Sequence, residues 1–289
     1  MIKKIITTIF AIMISNTVFA ITNEQIISQG AAKQKAIFDK YFNKTPGGTS
    51  RKDPNLLNSV FPEVITYLDG INRGIYDKEF NRLNSAKEHK RKSIFRKMYV
   101  QFNDYIVENS KISRNIFSNF LQEKSDLQAY SYTNVYLSIE AFNLNMNTYL
   151  EGQKSSETID KNVETIIDYL YYKGDEKTKE DYMAMSNREL ASIVDKEYIN
   201  LNSALEKRIA EGNATERKQG NNIKSSLKKL ERLYRQYDKS FEEYIDGSGL
   251  KTEDKEKVKK LVKFENVASL KFLIKSLEKI EEGEEESGQ

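Results

Sequence analysis

Residues 223–244 read IKSSLKKLERLYRQYDKSFEEY, and the spacing of their apolar positions decides the fold class. Ile223, Leu227, Leu230, Tyr234, Tyr237, Phe241 and Tyr244 alternate steps of four and three, a strict heptad pattern. That period sets all of them on one face of a helix, whereas a strand repeats every second residue. Asp246-Gly247 follow, with glycine suited to closing the helix C-terminus.

The same rhythm runs through the rest of the chain. Leu57, Phe61, Val64, Leu68, Ile71 and Ile75 keep it behind Asp53-Pro54, an N-cap and a first-turn proline. Phe95, Met98, Phe102, Tyr105, Asn109, Ile112 and Ile116 keep it too, with one polar seam residue of the kind that fixes register. Leu190, Val194, Tyr198, Leu201 and Leu205 follow a capping box, Ser186 to Glu189. Val267, Leu270, Ile274 and Leu277 carry the last seam. Turn residues punctuate the chain at 45–50, 152–156, 174–175, 212–213 and 247–249.

These signals predict helices over 23–43, 54–75, 77–110, 113–151, 157–173, 187–211, 214–246 and 252–281. No Val, Ile or Thr alternation is long enough for a strand. The expected fold class is all-α, a bundle of about seven or eight long antiparallel helices with coiled-coil-like heptad packing. Residues 21–280 are expected to form one domain, with 281–289 a disordered acidic tail.

Residues 1–20 have the pattern of a cleaved secretory signal peptide. Lys3 and Lys4 precede an uncharged apolar stretch from Ile5 to Ile14, and Val18-Phe19-Ala20 supply a cleavage site. The stretch is too short for a membrane span, which needs roughly 20 residues. The mature chain is therefore expected to be exported, to the periplasm or cell surface of a bacterium, with no transmembrane segment after cleavage. Losing Lys3 and Lys4 lowers the formal net charge from +3 to +1, so overall charge gives no reason to expect a nucleic-acid partner.

Composition removes much of the available chemistry. The 289 residues hold no Cys, no Trp and a single His. Disulfides, thiol nucleophiles, Cys-ligated zinc and multi-histidine metal sites are all excluded. The phosphate-loop, nucleophile-elbow, zincin and EF-hand patterns are absent from the sequence. No catalytic residue, metal ligand or cofactor is assigned on this basis.

Charge is balanced overall but unevenly placed. Residues 73–124 sum to +6, 140–200 to −6, 201–263 to +5 and 264–289 to −4. Such blocks suit helices packed positive against negative, or a basic face meeting an anionic partner. The densest basic segment offers Lys87, Lys90, Arg91, Lys92, Arg96 and Lys97 for that contact, though these residues spread round the helix.

Residues 127–150 hold a single formal charge, Glu140, among tyrosines, asparagines and aliphatics. A helix apolar nearly all round belongs at a buried centre. Tyr132, Tyr136 and Glu140 share one of its faces and form the candidate ligand-binding group. Burial would raise the Glu140 pKa, unless a neighbouring Lys or Arg pairs with it. Tyr169, Tyr171 and Tyr172 adjoin Gly174 and suit either helix-end packing or contact with a protein or glycan.

Three functions follow as expectations. The first is a non-enzymatic envelope scaffold or adhesin-like module that binds a protein or another envelope macromolecule, with homo-oligomers possible through the heptad faces. The second is a periplasmic carrier or chaperone holding a hydrophobic ligand between helices. The third is an envelope hydrolase using Glu140 as its acid.

Overall fold

The computed structural model describes residues 22–42, 54–120, 124–171 and 177–285. The leader at 1–20 and residues 286–289 lie outside the described residues. So do the side chains at 34, 37–42, 54–61, 117–120, 124–134, 216 and 278–285.

The described residues form helices and contain no strand. In chain order the helices are α1 (Asn23–Phe42), α2 (Pro54–Ser85), α3 (His89–Phe120), α4 (Lys124–Gly152) and α5 (Glu157–Leu170). A short α6 (Lys179–Ala184) precedes α7 (Asn187–Glu211), α8 (Ala214–Asp246) and α9 (Thr252–Glu285).

Every seam residue named for α8, from Ile223 to Tyr244, is buried. The same holds for the α3 series, Asn109 included, and for Leu190 to Leu205 on α7. Apolar burial at about 25 cal/mol per Å² supplies the main cohesion, with no covalent cross-link to help. α4 packs against α1, α2, α3, α5 and α9, so it is enclosed on all sides. That is why residues 135–149 are buried almost without interruption, with Leu137 the half-exposed exception. Most of its polar side chains are bonded, as an enclosed helix demands. Asn143 accepts from Asn72 at 3.0 Å and donates to the Leu68 carbonyl at 3.2 Å, while Asn147 donates to Asn23 at 2.8 Å.

Several boundaries differ from the sequence reading. The break expected near residue 76 falls at 86–88. There Lys87 takes the left-handed conformation at φ 57°, and the Glu88 and Lys87 amides return to the Leu83 and Asn84 carbonyls. This is a Schellman ending with Lys where glycine is usual, so no glycine marks it. The break expected at 111–112 does not occur, because α3 continues through Phe120. Finally, α6 has no counterpart among the expected helices. Its six residues are too few for a periodic signal, yet the Thr178–Asp181 capping box starts it and Tyr182 pins it edge-on to Phe264. The capping box expected at Ser186–Glu189 is present. Five residues assigned to the acidic tail, 281–285, continue α9.

Candidate functional site

One buried carboxyl, Glu265, lines a recess where α4, α5 and α9 meet, and a second, Glu140, bonds a side chain of its wall, Tyr169. Glu140, on α4, is 0% exposed. It accepts a 2.5 Å hydrogen bond from the Tyr169 hydroxyl of α5, and the Tyr136 hydroxyl also faces it. Its partners are phenols, with no ion pair among the described residues. α1 approaches through Gly30, where a methyl group would lie 2.9 Å from Glu140 Oε1. Burial pushes the Glu140 pKa up to about 7, against the two hydroxyl bonds that favour the anion. Of the expected ligand-binding trio, Tyr136 and Glu140 lie together but neither lines the recess, and the Tyr132 side chain lies outside the described residues.

Glu265, on α9, is 4% exposed. Its Oε2 accepts a long 3.4 Å bond from Asn145, and its Oε1 accepts none. No Lys or Arg pairs with it among the described residues, and burial alone drives its pKa well above the usual carboxylate range. Tyr105 of α3 and Tyr234 and Tyr237 of α8 all feel its charge. Among the described residues, the Tyr234 and Tyr237 hydroxyls and the side-chain carbonyls of Asn145 and Asn266 also find no hydrogen-bond partner. Buried polar atoms are nearly always bonded in folded proteins, so this concentration beside one carboxyl makes the region the candidate site.

The recess itself has a volume of about 130 Å³. Leu137 and Ser138 line it from α4, Tyr169 and Leu170 from α5, and Glu265, Ser269 and Phe272 from α9. Tyr171 completes the wall, so two of the three tyrosines singled out beside Gly174 help enclose it. Tyr169 joins both halves, with its hydroxyl on Glu140 and its side chain against the recess. Sequence reasoning missed Glu265. The available signal was its register, since Val258, Leu261, Glu265, Ser269 and Phe272 are spaced as one helix face.

The predicted basic segment is largely engaged within the chain. Arg91 bonds Glu88 at 2.6 Å and the Tyr149 hydroxyl at 2.6 Å, and lies over the Tyr244 ring. Lys92 donates to Asn84 and covers Phe80, while Lys97 lies 3.9 Å from Glu243. Lys87, Lys90 and Arg96 are exposed. A second basic strip that the sequence reading did not single out runs along α8. Lys228, Arg232, Arg235 and Lys239 border a shallow surface groove, with Arg235 paired to Glu231 and Asp195.

Among the described residues no cluster of three acids or histidines is placed to hold a metal, and no helix is long and apolar enough to cross a membrane. Comparison with known proteins finds no matching family model, no matching curated protein and no matching solved structure.

Proposed function

We propose that the protein is an exported, non-enzymatic helical protein of a bacterial envelope that binds a small ligand between its helices. The observation that carries this reading is the recess lined by Glu265, a buried carboxyl lacking both a counter-ion and a full set of hydrogen bonds. Leaving such a group unsatisfied costs about 1–3 kcal/mol, which a ligand that completes its bonding recovers. The recess volume of about 130 Å³ suits a small ligand. The leader-like segment at 1–20 supports export.

We read the helices as one antiparallel bundle with heptad seams. Lys97 lies near Glu243, Gln101 accepts from Ser240 and Glu108 accepts from Lys229, so numbering rises along α3 as it falls along α8. One large hydrophobic cluster draws residues from all the helices, which supports one domain. Self-association through these seams would require the chain to open, since their side chains are already buried within one copy.

Thermal unfolding tests the binding reading. Saturating ligand from an envelope small-molecule extract is expected to raise the Tm of the mature chain by about 5 °C or more. Ala268→Leu, which fills the recess, is expected to abolish that rise. An equal rise in both proteins would place the ligand elsewhere, and no rise in either would remove the reading.

A scaffold that engages an anionic macromolecule is the second reading, and the α8 strip of Lys228, Arg232, Arg235 and Lys239 favours it. Reversing Lys228, Arg232 and Lys239 to Glu should release such a partner in crosslinking and leave Tm unchanged. Retention of the partner would exclude the strip. The hydrolase reading loses ground because Glu140 is enclosed by α1, α4 and α5, out of reach of a polymer substrate.

A further inference from the structure

We infer that the recess takes a small alkylammonium ion, with its charged head at Glu265 and its apolar body against Tyr169, Leu170 and Phe272. This rests on the ligand-binding reading above and names the chemical class.

Three features select a cation. First, Glu265 lines the recess, is 4% exposed and has an Oε1 with no hydrogen-bond donor. An ammonium ion against the recess side of the carboxyl supplies a counter-charge, and charge-assisted bonds of that kind are roughly twice as strong as neutral ones. Second, Tyr169, Tyr171 and Phe272 stand in a wall that also holds Leu137, Leu170 and Ala268, and the Tyr171 ring already has Lys179 Nζ 5.8 Å from its centroid. Ring faces attract cations, and recognition of organic ammonium ions commonly pairs aromatic rings with a carboxylate. Third, no Lys or Arg lines the recess, so an anionic ligand would meet Glu265 without compensation. A bare metal ion fits less well, since hard cations require several oxygen ligands and one carboxylate leads the set.

Binding is coupled to a proton. The titratable groups facing Glu265 are Tyr105 from α3 and Tyr234 and Tyr237 from α8, with Tyr169 and Tyr171 in the recess wall. None of them is a cation, so burial favours the protonated form of Glu265 while the recess is empty. When the ammonium enters, the Glu265 O–H proton leaves to solvent and the carboxylate pairs with the ligand. Affinity therefore rises with pH by close to tenfold per unit while the free acid predominates.

The test uses calorimetric titration of the mature chain with n-butylammonium, with n-butanol as a neutral probe of matched shape and with potassium as an inorganic cation. Butylammonium is expected to bind, to release close to one proton and to bind at least tenfold more tightly than butanol. Glu265→Gln should keep the fold and lower butylammonium affinity at least tenfold, leaving butanol unchanged. Equal affinity for butylammonium and butanol, indifferent to Glu265→Gln, overturns charge recognition and leaves a small-ligand recess standing. Potassium equal to butylammonium overturns the alkyl specificity. Binding of neither organic probe overturns the inference, and the Ala268→Leu comparison then decides the broader reading separately.

Discussion

The Tyr169 hydroxyl donates to Glu140 at 2.5 Å, while the same side chain walls the recess that Glu265 lines. One phenol thus couples a buried carboxyl on α4 to the candidate ligand site, and the consequences are measurable.

Glu140 should make stability depend on pH. Its folded pKa of about 7 lies above the ordinary 4.5, so the native state holds a proton that the unfolded chain releases earlier. The destabilisation is absent below pH 4.5, grows as pH rises toward 7 and is constant beyond. Relative to Glu140→Gln, the natural protein should lose about 3 kcal/mol across that window, from a shift at 1.36 kcal/mol per unit. Denaturant unfolding of both proteins at several pH values reads it directly. Parallel curves would mean that Glu140 stays near its ordinary pKa.

Two arginine pairs on α2 should behave oppositely. Glu79 is fully buried and holds Arg82 through two 2.7 Å bonds, while accepting a further bond from the Tyr244 hydroxyl of α8. Glu79→Ala should cost about 3 kcal/mol, because it strands a buried hydroxyl and leaves Arg82 only its 3.3 Å bond to Glu88. Asp69 and Arg73 are 43% and 75% exposed, and Asp69→Ala should change stability by no more than about 0.5 kcal/mol. Urea midpoints at matched slopes separate the two.

Helical glycines should split in the same way. A methyl group added at Gly70 on α2 would meet nothing within 4 Å, so Gly70→Ala should stabilise by about 1 kcal/mol through helix propensity. Gly220 on α8 presses on Ile209, whose Cγ1 would lie 2.2 Å from an added Cβ. Gly220→Ala should destabilise despite its better propensity, and adding Ile209→Ala should restore much of the loss. Thermal unfolding of the three variants suffices.

The strained turn offers a gain. Lys87 sits at φ 57°, a conformation that costs a residue with a Cβ roughly 1–2 kcal/mol. Lys87→Gly is expected to raise stability by about 1 kcal/mol, read by chemical denaturation. A loss would show that the lysine side chain supports the turn more than its backbone strains it.

Much of the helical layout was legible because an apolar face repeating at helical spacing is both a pattern and a packing instruction. Ile223 to Tyr244 line up in the sequence and are all buried in the molecule. The α2–α3 turn was not legible, because the left-handed residue that ends α2 is Lys87 and a lysine carries no turn signature. The candidate site was half legible. Glu140 stands out as the lone charge of an apolar stretch, and its burial follows from that stretch. Glu265 sits in KFENVAS, where Lys263 and Asn266 disguise it as surface. Lys263 is itself buried, held by Asp238 and Glu242 of α8, and that pairing is written in the tertiary fold alone. The recess arises from three separate helices, so no local pattern contains it.

Native mass spectrometry of the protein drawn from its own cellular compartment tests the ligand site most directly. A small adduct should accompany the natural chain and be missing from Ala268→Leu purified in parallel. An adduct-free natural chain, or an adduct equally present on both proteins, would contradict a ligand site between α4, α5 and α9.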